Sequence, residues 1–249
     1  MPNKFSIITI IFEPNLEDLL NNLYSVHNQI YQNIEHIIQD GSTSDNAKLV
    51  IEKFMKNNFN HKIQYYKEKD DGIYDALNKA IEKCENEVIG LLHSDDLFSN
   101  ESVISLINDN FSKNTDLIYG DLIYINKENK IVRNWKSGAF YRKNLSFGWM
   151  PPHPTIFLKK KIINKFGNYD SSYKIAGDYD FILRIFKNDI KIRYIPKIIT
   201  KMKIGGTSNK SLRNLLIKSK EDLRALKTNK IGGIFSLFFK NIRKIGQFF

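Results

Sequence analysis

Carboxylates gather in four short stretches of this 249-residue chain, and each stretch allows a definite chemistry. The sharpest is His93-Ser94-Asp95-Asp96, which ends the apolar run Val88–Leu92 and so brings two adjacent acids out of a buried segment. Paired carboxylates repel unless a cation or donor lies between them, and oxygen ligands suit Mg²⁺ or Mn²⁺ shared between protein and a diphosphate. Such a cation would neutralise a departing phosphate. A helix cap near Ser99 also fits, although a cap needs one Asp and not two. In Ala176-Gly177-Asp178-Tyr179-Asp180 a carboxylate opens an amphipathic run ending near Lys187. Asp178 there fits a general base for a hydroxyl nucleophile as well as it fits an N-cap. Asp40-Gly41-Ser42-Thr43-Ser44-Asp45 leaves Asp40 able to accept hydrogen bonds from a ligand, and reads equally as a capped turn. Glu68-Lys69-Asp70-Asp71-Gly72 precedes a helix on which Asp75 and Asn78 share a face, a place that acids favour for dipole reasons alone. Agreement among the four stretches favours chemistry more than any one of them does.

The segments between these acids have the periodicities needed to hold them. Ser6–Ile11, His36–Gln39, Lys62–Lys67, Val88–Leu92 and Leu117–Tyr119 read as short buried strands. Leu16–Ile30, Ser44–Asn57, Ile73–Lys83 and Glu101–Asn110 carry apolar residues at helical spacing, with Ser44 and Ser99 or Asn100 as N-caps. Such alternation predicts an α/β fold: a mostly parallel, Rossmann-like sheet with helices on both faces, binding ligands beyond the C-terminal strand ends. Three of the acidic stretches fall directly after predicted strands. Leu122–Tyr124 and Lys130–Asn134 then suggest a hairpin, followed by an irregular aromatic stretch to Pro154. Lys159–Phe166, Asp178–Lys187 and Ser211–Lys227 read as helices, and Gly232-Gly233 separates the last from a final segment, Ile234–Phe249.

Composition narrows the partners. The chain is 42% hydrophobic with a single cysteine, Cys84, which argues against disorder and excludes a disulfide framework or a Cys-rich zinc site. No apolar run approaches the roughly 18 residues of a spanning helix, and Phe5–Phe12 followed by Glu13-Pro14 reads as a strand and not as a cleaved signal. A cytoplasmic protein is expected. The net charge of +11 is compatible with nucleic acid, an anionic membrane or a phosphorylated substrate. Its distribution is uneven: residues 1–121 hold 10 Lys and Arg against 20 acids, 122–209 hold 18 against 5, and 210–249 hold 10 against 2. An acidic front half does not suit a protein that grips a phosphate backbone, so a nucleic-acid partner is not expected.

At the residues quoted above the chain resembles bacterial family 2 glycosyltransferases of the GT-A fold, of the type that makes capsule, O-antigen, lipopolysaccharide or exopolysaccharide. The match covers roughly residues 4–209, with Thr9 in the first strand and His153-Pro154-Thr155 and Gly205-Gly206-Thr207-Ser208 as later elements. The resemblance implies a catalytic domain over 1–209, with a donor half to 121 and an acceptor half beyond it, and a helical tail over 210–249. It implies a nucleotide-sugar donor, a UDP-sugar foremost, contacted by Thr9, Glu13, Asp40, Asp70, Gly72, Asn78, Ser94 and Asp95. Asp96 would bind Mn²⁺ or Mg²⁺, and Asp178 would be the catalytic base of an inverting displacement. His153, Asp180 and Gly206 would touch the acceptor or diphosphate, and Gly205–Ser208 would close over the donor. The chain departs from the family in having His93 where Asn is frequent, Gly177 where Glu is, and Pro154 where Gln is. A sugar nucleotidyltransferase and a nucleic-acid-binding protein are the alternatives.

Ile234–Phe249 interleaves Ile234, Phe235, Leu237, Phe238, Phe239, Ile242, Ile245 and Phe248 with Lys240, Arg243 and Lys244. As a helix it has a broad apolar face flanked by cations, the pattern of a segment lying in a membrane interface. A helix packed on the protein's own core or in a homodimer fits the same pattern. The expectation is peripheral attachment to the inner face of the plasma membrane, near a lipid-linked glycan acceptor.

Overall fold

Strand β1 (Phe5–Ile11) is buried along its whole length, and its two sides feed different helical layers. Phe5 and Ile7 join Val26, Ile104 and Ile107, whereas Ile8 and Ile10 join Leu77, Ala80 and Ile182. Apolar residues on both faces are what a central strand of a doubly covered sheet requires. The computed structural model describes residues 3–57, 59–204 and 212–245. In it β2 (Ile34–Asp40) and then β3 (Lys62–Lys67) lie parallel on one side of β1, and β4 (Val88–Leu91) lies parallel on the other. Helices α1 (Leu16–His27), α2 (Asn46–Met55) and α4 (Val103–Asn110) cover one face. The other face carries α3 (Ile73–Lys83), α5 (Lys160–Phe166), α6 (Gly177–Phe186) and α7 (Leu212–Thr228).

Beyond β4 the sheet becomes mixed. β8 (Phe157–Lys159) is antiparallel to both β4 and β6 (Leu117–Ile125), and β9 (Ile192–Lys203) runs parallel to β6. β7 (Ile131–Trp135) forms the expected hairpin with β6, and β5 (Leu97–Phe98) pairs with β9. Most predicted elements are present within a few residues, with instructive differences. The segments expected as a fifth strand and as one hairpin arm are a single strand, β6, interrupted only by a register shift around Gly120. β3 was expected to be buried but is the half-exposed edge. β8 is too short to show a period. The 12-residue β9 contains Pro196, which reads as a strand breaker, but its pairing with β6 slips between Tyr194 and Ile198, where a missing N–H is tolerated. Ser44 does not cap α2, because its N–H and hydroxyl both donate to Glu13. α4 begins after Ser102, later than either expected cap.

The last helix, α8 (Ile234–Ile245), packs against α7 and a 3₁₀ turn at Arg142–Phe147. Among the described residues no helix is long and apolar enough to cross a membrane.

Candidate active site

The C-terminal ends of β1, β2 and β3 lie side by side, with Asp40 opposite Ile11 and Lys67. Asp40 is fully buried there, accepting the Ser42 N–H at 2.8 Å and the Tyr65 hydroxyl at 2.7 Å. Burial and this carboxylate together push the Tyr65 phenol up. Glu13 accepts bonds from the N–H and hydroxyl of both Thr43 and Ser44, and those donors, Ser44 first, pull its carboxyl down to about 2. Both acids thus brace the 40–45 turn. A Cβ at Gly41 would lie 1.9 Å from Asp70 Oδ2, so glycine is what lets the third strand's acid lie over the second strand's turn. Asp70 also accepts the Gly72 N–H at the start of α3. Thr9, expected at the donor, is fully buried, with its hydroxyl 2.8 Å from the Leu92 carbonyl and 2.9 Å from His36 Nε2.

That Leu92 contact belongs to the next site element. Asn22 of α1, which the sequence reading passed over, donates its side-chain amide to the carbonyls of His93 and Asp96 at 2.7 and 2.9 Å. Its signal was a polar residue inside the apolar stripe of Leu19, Leu23 and Val26. The turn so held leaves Ser94 and Asp95 half-buried and Asp96 wholly inside. Among the described residues neither carboxylate oxygen of Asp96 has a hydrogen-bond partner. Burial pushes this carboxyl well above the usual range and neighbouring Asp95 adds to the effect, while the backbone N–H of Lys203, near but not in hydrogen-bonding geometry, pulls weakly the other way. A buried, unpartnered anion is costly unless something positive reaches it. Two open oxygen ligands suit a hard divalent cation, so the residues present fit the expected Mn²⁺ or Mg²⁺. Since no three His, Cys, Asp or Glu side chains converge among the described residues, phosphate oxygens and water would complete the coordination.

Asp178 stands in the first turn of α6 and accepts its neighbour's N–H at 2.7 Å. Its charge acts on His93, His153 and Tyr124, while Asp95 acts on His93 and Asp96 on Tyr124, and the rings of His93 and His153 lie 6.3 Å apart. Burial holds His93 below the ordinary imidazole range despite both acids. It takes His153 down to about 4, leaving a neutral ring whose Nε2 is 2.7 Å from the Tyr169 hydroxyl. His153 is therefore already partnered.

The approach to Asp178 is tied down from several sides. Asn78, expected at the donor, exchanges two 2.9 Å bonds with the backbone of Tyr169, so its amide holds the 167–176 loop. Tyr74 donates to the Ile175 carbonyl at 2.8 Å. Its ring fills the space at Gly177, where a Cβ would come within 2.7 Å of it, so the missing family carboxylate is replaced by an aromatic wall. Glu221 of α7 accepts the N–H groups of Lys174, Ile175 and Ala176 at 2.8 to 2.9 Å. Asp180, expected near the acceptor, is instead buried in a pair with Arg184 at 3.2 Å and accepts from Asn229 at 2.8 Å. Gly206 and its loop lie outside the described residues.

A mostly parallel sheet carrying acidic turns at its strand ends, with the buried, open Asp96 in one of them, is the setting in which a sugar-transferring enzyme of the GT-A fold is expected. Residues 6–171 match the model of glycosyl transferase family 2, and the chain belongs to that family. It is a glycosyltransferase. Relatives include a PGL/p-HBAD biosynthesis glycosyltransferase of Mycobacterium bovis, 26% identical over 191 residues covering 75% of this chain and 72% of that one. An uncharacterised glycosyltransferase of Mycobacterium tuberculosis is 30% identical over 183 residues, 72% of this chain and 67% of the relative. Among solved structures, the mannosyltransferase PcManGT from Pyrobaculum calidifontis, in complex with GDP-Man and Mn²⁺, superposes with a TM-score of 0.68 at 10% identity over 97% of this chain and 74% of its own. Staphylococcus aureus TarS 1-349 with UDP-GlcNAc gives 0.65 at 16% identity over 91% and 65%. These likenesses establish the fold. The family match ends before Asp178, whose role rests on its position.

Proposed function

We propose that this enzyme moves one sugar from a nucleoside diphosphate donor, a UDP-sugar foremost, to a hydroxyl of a lipid-linked glycan in surface-polysaccharide biosynthesis. The observation that carries the reading is the buried Asp96, neither of whose carboxylate oxygens has a hydrogen-bond partner among the described residues, with Asp178 in the same neighbourhood, since both acids act on Tyr124. Asp96, with Asp95 beside it, would hold Mn²⁺ or Mg²⁺. When bound, that ion supplies positive charge for the departing diphosphate. Asp95 would approach the donor ribose or diphosphate, and Asp40 and Asp70 would line the nucleotide pocket, with Asp40 at the base. Asp178 takes the proton of the acceptor hydroxyl as its oxygen bonds to the anomeric carbon and the carbon–phosphate oxygen bond breaks. The nucleoside diphosphate leaves, and the anomeric centre is inverted. The well-anchored 167–176 loop supports this role, because a base must be held within hydrogen-bond reach of its proton. The tail over 234–249 attaches the enzyme to the cytoplasmic membrane surface, where a lipid-linked acceptor is found.

A panel of UDP-, GDP- and dTDP-sugars with Mn²⁺, scored by nucleotide released, tests the reading. One donor is expected to yield its nucleoside diphosphate, and Asp178→Asn to lower that rate by about 10²–10⁴-fold without weakening donor binding. Release of pyrophosphate would indicate nucleotidyl transfer instead. Full activity in Asp178→Asn would remove this mechanism.

A further inference from the structure

Helix α8 is seated the wrong way round for a surface helix. Its polar side faces the protein: Ser236 donates to the Ser146 carbonyl at 2.5 Å, and Arg243 Nε donates to the Phe147 carbonyl at 3.1 Å. Lys240 is only 4% exposed, with its ammonium 2.7 Å from Asp222 and 3.2 Å from the centroid of the Tyr179 ring. Leu237 packs against the core, but the rest of the apolar side faces out, with Phe235 81% exposed and Ile234, Phe238 and Ile242 also open. Phe147, itself exposed, meets Phe239 edge-on at 5.6 Å and widens the patch. Amphipathic helices ordinarily bury the apolar stripe, and a contiguous exposed one marks an interaction surface.

The charge around the patch chooses the partner. Residues 210–249 contain two acids, Glu221 and Asp222, and both are engaged inward, one on the backbone at 174–176 and the other on Lys218 and Lys240. The exposed charges on α8 and the segments packed beside it include Lys143, Lys227, Lys230 and Arg243. A second copy docked face to face would bring two such sets of cations together with no exposed acid of residues 210–249 between them. An anionic headgroup layer neutralises them while the aromatic side chains enter the acyl boundary.

We infer that the outward face of α8, with Phe147, lies on an anionic bilayer, and that Lys240 bolts this face to the helix carrying Asp178. Its geometry stands on α8 alone, and its purpose rests on the lipid-linked acceptor reading above. Tyr179, which Lys240 touches, is the residue after Asp178, so an acceptor held in the same bilayer meets the base close to the membrane surface.

The test is co-sedimentation of the full chain with vesicles of phosphatidylcholine, alone or mixed with phosphatidylglycerol, for the wild type and Phe235→Glu/Phe238→Glu. The wild type is expected to bind the mixed vesicles in a salt-sensitive way, and the double variant to lose at least about tenfold in partitioning. Thermal midpoint and nucleotide release from donor without vesicles should be unchanged, since neither side chain touches the site. Equal binding by the variant would overturn the assignment, as would a wild-type dimer that becomes monomeric in the variant, because a second copy would then cover the face. Vesicle binding that follows the expected pattern without nucleotide release from any donor would uphold the surface and remove the transferase reading.

Discussion

Asp96 and Asp180 are both buried carboxylates, 0% and 3% exposed, and they are held in opposite ways. Asp180 has Arg184 and Asn229 around it, whereas neither oxygen of Asp96 has a partner among the described residues. A buried charge that is paired and hydrogen-bonded belongs to the scaffold, whereas one with neither is held neutral by burial or charged by a ligand that supplies what is missing. The contrast sorts the acids of this molecule. Asp40, Glu13 and Glu221 accept several bonds each and brace loops, while Asp96 keeps its oxygens open, as the proposed metal site requires.

Replacing both acids breaks or sharpens that contrast most strongly. Asp96→Asn should lower nucleotide release by about 10²–10³-fold, the size of losing a preorganised electrostatic contact. Without donor or metal its thermal midpoint should not fall, since the amide replaces a carboxyl that burial already drives toward the neutral form. Asp180→Ala should do the reverse on stability, losing about 1–3 kcal/mol because the buried Asn229 amide loses its acceptor and Arg184, though still held by three backbone carbonyls, loses its carboxylate. Chemical denaturation of the two variants side by side decides the matter: a large stability loss in Asp96→Asn would mean that it braces as Asp180 does.

A smaller effect is expected at Glu221, a positioning residue that never touches substrate. Glu221→Ala leaves three backbone N–H groups before α6 without their acceptor and loosens the approach to Asp178. The maximal rate should fall by roughly tenfold with donor KM nearly unchanged, and Glu221→Gln, which keeps an acceptor oxygen, should recover much of it. A change confined to KM would place Glu221 in the donor site instead.

How much of this was legible beforehand follows from the range of the interactions. The acidic turns at 40, 70 and 95–96 could be found because each follows a segment with strand character, and the sheet rule then places them on one edge. Fold class and family followed from the same local signals. What remained hidden depends on partners far away in sequence: Asn78 with Tyr169, Glu221 with 174–176, Asp180 with Asn229, and Tyr74 against Gly177. No spacing rule joins such pairs, so a polar residue that braces looks the same in sequence as one that binds. The tail shows the limit clearly. Periodicity identified both faces of α8, but which one turns inward depends on Asp222 and Ser146, on other elements.

The smallest expected effect concerns histidines on the donor side, which contrast with the acids by being buried neutral. His27 Nε2 is 3.2 Å from His36 Nδ1, and burial, reinforced by His61, takes His27 down to about 3. His36 is also held well below its ordinary value, first by burial. Unfolded histidine titrates near 6.5, so between there and the folded values the unfolded chain binds more protons. Stability is therefore fully present above about pH 6.5 and falls as pH drops toward 3, by roughly 1–2 kcal/mol per histidine at pH 5. Glu13, lowered to about 2, loses its contribution only below the ordinary carboxylate range, so it does not contribute to the fall between pH 7 and 5. Denaturant midpoints over that interval should fall in the wild type, flatten in His27→Leu and fall more steeply in Asp96→Asn, because a carboxyl whose folded value is raised stabilises the fold as pH drops and so opposes the histidines. An unchanged slope in His27→Leu would mean that the acid sensitivity lies elsewhere, with His153, whose ring is likewise held neutral beside Tyr169, as the next residue to replace.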